Sequence, residues 1–137
     1  MSVFNANGNS TITVDNSSAV AKALTAYVKE IDGLEKLYAL LDTTALADTA
    51  ETSAIGIQTR LTLVIRGDYN DIADGPHLVL SGIVGGSTDR TVTISLDGTY
   101  YFSFEALCTR YAVMPRNKEL VQYEATLVSN GAVTIGP

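Results

Sequence analysis

The sequence predicts a mainly β domain of the α+β kind: antiparallel strands packed as a β-sandwich, flanked by one short helix. Three observations lead there. Apolar and polar residues alternate with a period of two in several segments. The dipeptides Asp97-Gly98 and Asn130-Gly131, both strong turn formers, separate such segments. Asp74-Gly75-Pro76 is a clear helix start, with proline at the first helical position.

The elements follow in order. Thr11-Ile12-Thr13-Val14 alternates and stops at Asp15-Asn16. Val20, Leu24, Tyr27, Val28 and Ile31 then recur at helical spacing, with Ser17 or Ser18 as cap and Gly33 as stop. Thr25 to Val28 also suits an extended segment, so residues 18–32 read as helix by pattern, or as a turn followed by a strand. Residues 37–47 carry Leu and Ala on both faces. Between Arg60 and Tyr69, Leu61, Leu63 and Ile65 oppose Arg60, Thr62 and Arg66. The helix is expected from Pro76 to about Val84, with Leu78, Val79 and Ile83 inward, Asp74 helping to cap it and Gly85-Gly86 ending it.

Val92, Ile94 and Leu96 then oppose Thr91, Thr93 and Ser95, and Asp97-Gly98 turns the chain. In the partner strand, from Thr99 to Val113, Phe102, Phe104, Ala106 and Cys108 face inward, opposite Ser103, Glu105 and Thr109. Pro115, Arg116 and Asn117 break it. Val121, Tyr123, Ala125 and Leu127 line the last clear strand, and Asn130-Gly131 leads into a short final one. No internal repeat, linker or low-complexity tract interrupts this order, so residues 1–137 read as one domain.

Composition narrows the function. Of 137 residues, 46% are apolar and only 18% charged, below the ~25% of average globular chains. A low-charge surface is often one that other subunits cover. The formal net charge is -6 and the pI about 4.5, the opposite balance to a protein that clamps nucleic acid. The nine Lys and Arg are spread without a cluster. The N-terminus lacks the charged and apolar regions of a signal peptide, and no apolar run approaches the ~18 residues of a membrane span. The sequons at Asn9 and Asn16 therefore read as chance matches.

No motif advertises catalysis. His77 is the only histidine, which rules out a two-histidine metal site in one chain, and it reads as a boundary residue at a helix start. Cys108, the only cysteine, falls on an apolar strand face and reads as a small buried hydrophobe. Asp68, Asp71 and Asp74 fail the EF-hand test: Ala73 stands where the loop needs Gly, and Val79 where it needs Glu. Gly82, Gly85 and Gly86 have no Gly-Lys-Ser/Thr after them, so no phosphate loop is formed. No enzyme, cofactor or metal is expected.

Residues 43–59, TTALADTAETSAIGIQT, are long for a hairpin connection. Leu46, Ile55 and Ile57 are awkward to leave in water. Docking onto a neighbouring subunit gives them cover, which makes this stretch a candidate arm, with Thr44, Leu46, Asp48, Glu51, Ile55 and Ile57 as its contact residues. The alternative is a longer strand pair within the same sheet.

Four segments, in order, carry a family resemblance: LTAYVKEIDGL, LLDTTALADTAETSAIGI, ADGPHLVLSGIVGG and YEATLVSNGAVTIG. Together they resemble the major tail tube protein of long-tailed, siphovirus-like bacteriophages, over roughly Thr11 to Gly136. Leu46 and Ala47 depart from the family's usual aromatic and glycine, and Ala54-Ile55-Gly56 stands where Ile-Pro-Gly is common. The resemblance implies a tail-tube or injection-tube-like sandwich, with a turn and strand over residues 18–32. It implies hexameric rings stacked into a tube that conducts DNA without binding it specifically. The implied partners are further copies, a tape-measure protein, a tail terminator and tail-tip proteins, in a virion tail made in the host cytoplasm, with no membrane anchor. Glu105 and Glu124, each on the polar face of its strand, are the lumen-facing candidates. The competing readings are a capsid decoration or other small virion protein, the tube of a secretion or injection device, and a β-sandwich module binding sugar or peptide.

Overall fold

The computed structural model describes residues 10–70, 72–96, 99–115 and 120–136. The elements are β1 (Thr11–Asp15), β2 (Ala21–Ala23), a 3-10 turn (Thr25–Tyr27), β3 (Glu30–Asp32), β4 (Leu37–Asp42), β5 (Ser53–Thr59), β6 (Thr62–Asp68), α1 (Pro76–Ile83), β7 (Arg90–Ser95), β8 (Tyr101–Met114), β9 (Gln122–Ser129) and β10 (Thr134–Gly136). All strand pairs are antiparallel.

The main sheet runs β2-β1-β7-β8-β9-β6-β3, with β10 also on β8. It cannot be flat. Its two end strands, β2 and β3, are joined only by residues 24–29. Six inter-strand gaps would separate them by about 29 Å in a flat sheet. The seven Cα steps from Ala23 to Glu30 reach about 25 Å when fully extended, and the 3-10 turn shortens that further. The sheet therefore curls, and its ends approach: Leu24 N–H donates to Ile12 O on β1, and Lys29 N–H to Arg66 O on β6.

The long strand β8 is the fold line. Its first half, residues 101–106, pairs with β7, and its second half, residues 106–114, pairs with β9. The two halves meet at Ala106, and a bulge between Cys108 and Arg110 follows just inside the second, the usual device by which a strand passes from one layer to another. One layer is then β2-β1-β7-β8-β10, and the other is β3-β6-β9-β8. Both bury their inner faces in one apolar cluster, which includes Ile12, Val14, Val92, Ile94, Phe104, Leu63, Ile65, Tyr123 and Leu127. The predicted sandwich is the observed architecture.

Residues 18–32 form strand, turn and strand rather than the helix that their spacing favours. Backbone pairing of Ala21–Ala23 with β1 and of Glu30–Asp32 with β6 outcompetes the local helical pattern. Asn16 Oδ1 accepts from the N–H groups of Ser18 and Val20 and fixes the preceding turn.

The helix starts and ends where expected, with two differences. Its buried stripe is Pro76, Val79, Leu80 and Ile83, spaced i, i+3, i+4, i+7, and Leu78 faces outward. Gly75, not Asp74, is the N-cap, and no side chain caps the helix. Asp74 adopts a left-handed φ of 62° and forms an ion pair with Lys22 instead. Leu96, read as sharing a face with Val92 and Ile94, lies one residue past β7 and is exposed, whereas those two are buried. The turn at Asp97-Gly98, the break at Arg116 and Asn117, and Asn9 and Asp71 lie outside the described residues.

Candidate assembly surfaces

The segment singled out as an arm, residues 43–59, forms the tip and second strand of a separate two-stranded sheet, β4 against β5. It is neither a structureless loop nor an extension of the main sheet. Leu40 pairs with Ile55 and Leu41 with Ala54, so neighbouring apolar positions point to opposite faces. Both faces carry exposed apolar side chains: Leu40 is 70% exposed and Ile55 68% on one, Leu41 is 52% exposed on the other, and Ile57 is 81% exposed. Tyr38 is exposed as well. A bulge between Tyr38 and Leu40 brings Gly56 against the Leu41 side chain, where a Cβ would crowd Ala39 O.

The tip of the hairpin is ordered by its own polar groups. Asp42 accepts from Thr44 N–H, and this holds its carboxyl below the usual carboxylate range. Thr44 Oγ1 bridges the backbone of Thr52, and Asp48 accepts from Ala45 N–H. Leu46 sits within this frame, fully exposed. Glu51 is exposed as well. Of the arm candidates, Thr44 and Asp48 thus shape the tip, while Leu46, Ile55 and Ile57 present apolar surface.

Two polar sheet faces complete the surface, one on each layer. Cross-strand registers place Thr13, Thr93 and Ser103 in one row of the β2-β1-β7-β8-β10 face, and Asp15, Thr91 and Glu105 in the next. Thr91 Oγ1 donates to Glu105 at 2.7 Å. On the other layer, Glu124 accepts from Arg66 at 3.3 Å and from Arg110 at 2.9 Å, and Arg66 also pairs with Glu30. Glu105 and Glu124 therefore lie on different layers. Glu105 has a hydroxyl partner, whereas Glu124 is compensated by two guanidinium groups. The bulge explains the second arrangement: it shifts the alternation along β8, so that Arg110 and Ala112 face outward and Tyr111 packs inward.

No protein-family model matches this chain, and no curated protein matches it in sequence. Solved structures do. A chain in the tail of an empty gene transfer agent particle, resolved with C6 symmetry, superposes with a TM-score of 0.77 at 12% identity, over 97% of this chain and 99% of that one. The anti-feeding prophage tube-terminating cap gives 0.74 at 11%, over 98% and 91%. The sheath-tube complex of an extracellular contractile injection system gives 0.70 at 12%, over 93% and 87%. This chain has the fold of tail and injection-tube proteins. At such identities the likeness is one of fold.

His77 Nδ1 lies 2.7 Å from the Tyr111 hydroxyl, and its ring meets Tyr69 edge-on. Tyr111 stacks on Tyr123, whose hydroxyl donates to Tyr27 O. Burial, with Tyr69 nearby, pushes the Tyr111 phenol up to about 12, and burial raises Tyr123 as well. Burial also raises the Cys108 thiol, which disfavours the nucleophilic thiolate. Among the described residues no three His, Cys, Asp or Glu side chains group as metal ligands. None of their helices is long and apolar enough to cross a membrane. Sequence reading missed the histidine–tyrosine cluster and the arginine pair on Glu124. Both depend on register between distant strands, and only the alternation of Tyr123 with Glu124 hinted at them.

Proposed function

We propose that this chain is a non-enzymatic structural subunit of a virion tail, which assembles with copies of itself into rings that stack as a tube. The observation that carries this reading is the β4–β5 hairpin, apolar and exposed on both faces, on a fold shared with tail and injection-tube proteins. An isolated two-stranded hairpin is marginal in water, and exposed apolar surface of this kind marks an interaction site. A neighbouring copy supplies the cover. Thr44, Leu46, Asp48, Glu51, Ile55 and Ile57 are then arm contacts between subunits. A surface contacting a different surface of the next copy closes into rings and stacks into filaments.

The sixfold ring is the favoured symmetry, supported by the C6 arrangement of the gene transfer agent tail. DNA passes through the lumen without specific binding, and a tape-measure protein, a terminator and tail-tip proteins complete the tail. The likeness to a tube-terminating cap favours a second reading, in which the chain forms one closing ring. Electron microscopy of the concentrated protein, with light scattering on the same sample, separates the two. Long hollow tubes with a regular axial repeat support the tube subunit. Discrete rings that never stack support the terminator. A monomer at every concentration, even with tail-tip proteins added, overturns both.

A further inference from the structure

We infer that Asn130 is a site of spontaneous covalent modification: its side-chain amide converts through a cyclic imide to an aspartyl or isoaspartyl residue, and Asp89 sets the pace. This stands independently of the tube reading.

Residue type is the first ground. Ring closure joins the side-chain carbonyl carbon of an asparagine to the backbone nitrogen of the next residue, and a side chain on that next residue obstructs the approach. Among the described residues Asn16 precedes Ser17 and Asn70 precedes Asp71, while Asn130 precedes Gly131. The Oδ1 atoms of Asn16 and Asn70 also accept from local N–H groups, of Ser18 and Val20 and of Ile72. Residues 130–132 are exposed between the buried Ser129 and Val133. Gly131 has a φ of +120° and open space around it, so the backbone can turn and water can reach it.

The chemistry needs only water. The Gly131 nitrogen gives up its proton to solvent and attacks Asn130 Cγ. The new C–N bond closes a five-membered ring, the Cγ–Nδ2 bond breaks, and Nδ2 leaves as ammonia. Water then opens the ring at either carbonyl. Opening at Cγ leaves an aspartyl residue. Opening at the main-chain carbonyl leaves an isoaspartyl residue, with one more carbon in the backbone. Either product adds one negative charge to a formal net charge of -6.

The surroundings of Nδ2 give the site its consequence. Nδ2 donates to Asp89 Oδ1 at 2.7 Å, and Asn130 N–H donates to Glu105 O at 2.7 Å. The first bond ties the segment between α1 and β7 to the turn after β9. It also holds the amide in place, and the Asp89 charge opposes the anionic nitrogen that has to form. The reaction therefore proceeds from openings of this turn, which are local and leave the core folded. Once Nδ2 has gone, two carboxylates stand where a donor met an acceptor, and the tie is lost.

The test ages the full chain in solution and maps its peptides by mass spectrometry, with isoaspartyl methyltransferase labelling as a second readout. Mapping separates Asn130 from Asn7, which also precedes a glycine. Asn130 should gain one dalton and show isoaspartate, faster as pH rises, several-fold faster in Asp89→Ala, and not at all in Asn130→Gln. Asn130→Asp, which mimics one product, should lower the thermal midpoint. Adding Asp89→Asn, which again sets a donor opposite an acceptor, should recover it. An Asn130 peptide that stays unchanged in the folded chain while it converts in denaturant would overturn the site. Equal rates in Asp89→Ala and the parent chain, or a double variant no more stable than Asn130→Asp, would overturn the part played by Asp89. Tube formation by the unmodified chain is a separate readout and stands or falls on its own.

Discussion

Leu40 lies directly opposite Ile55 across the β4–β5 hairpin, and both side chains stand in water. Cross-strand apolar pairs normally support a sheet from its buried side. Here the pair projects outward, and on the proposed tube reading a neighbouring copy covers it. Leu40→Asp or Ile55→Asp should leave the stability of the isolated subunit within about 0.5 kcal/mol and abolish tube formation. Denaturant unfolding and light scattering on the same preparation check the two halves. A large loss of subunit stability would assign the pair to intramolecular packing.

Glu124 holds Arg66 and Arg110 together across three strands, and its side chain is 21% exposed. Glu124→Gln should cost on the order of 1–2 kcal/mol, because two partly covered guanidinium groups lose their counter-charge. A double-mutant cycle with Arg110→Met should return much of that cost as coupling. Additive losses would show that the two side chains act independently.

Gly67 is buried in β6, and a Cβ there would run into Tyr27 O, with the Tyr123 hydroxyl 2.9 Å away. Backbone meets backbone at this point, because residues 24–29 cross from one end of the sheet to the other. Gly67→Ala should therefore destabilise by on the order of 2–3 kcal/mol. Thermal unfolding should show it. Gly85→Ala, with open space around it but a φ of +77°, tests backbone strain separately and should cost about 1 kcal/mol.

Alkali should weaken the subunit. Burial raises the folded-state Tyr111 phenol from its ordinary value of 10.0 to about 12. Above 10 the unfolded chain loses phenolic protons that the folded chain keeps, so it binds fewer protons and stability falls. The contribution is full below 10 and drains as pH rises toward 12. Denaturation midpoints across that range should fall, and Tyr123→Phe should flatten the fall while losing about 1 kcal/mol from its hydrogen bond to Tyr27 O.

Much of the fold was legible because local pattern and tertiary environment agree. The alternation of Leu61, Leu63 and Ile65, of Val92 and Ile94, and of Tyr123, Ala125 and Leu127 is the buried face of the sheet. Pro76 and Gly85 bound the helix as expected. Disagreement arose where pairing partners are remote. Val20 to Ile31 carries a helical period, yet its backbone completes two edges of the sheet. The alternation of β8 also could not reveal that a bulge after Cys108 would turn Tyr111 inward.

Residue pattern alone was enough for the strand-rich class, the position of the helix, the inward faces of β6, β7 and β9 and the odd apolar stretch around Leu46 and Ile55. These follow from short-range chemistry: period, turn residues and proline geometry. Long-range packing made that stretch part of a separate hairpin with exposed apolar side chains on both faces. It alone separated Glu105 from Glu124, setting one beside hydroxyls and the other between two arginines. The reason is register. Which strand lies beside which, and where β8 bulges, is fixed by burying one shared core, a condition on the whole chain that no local window contains.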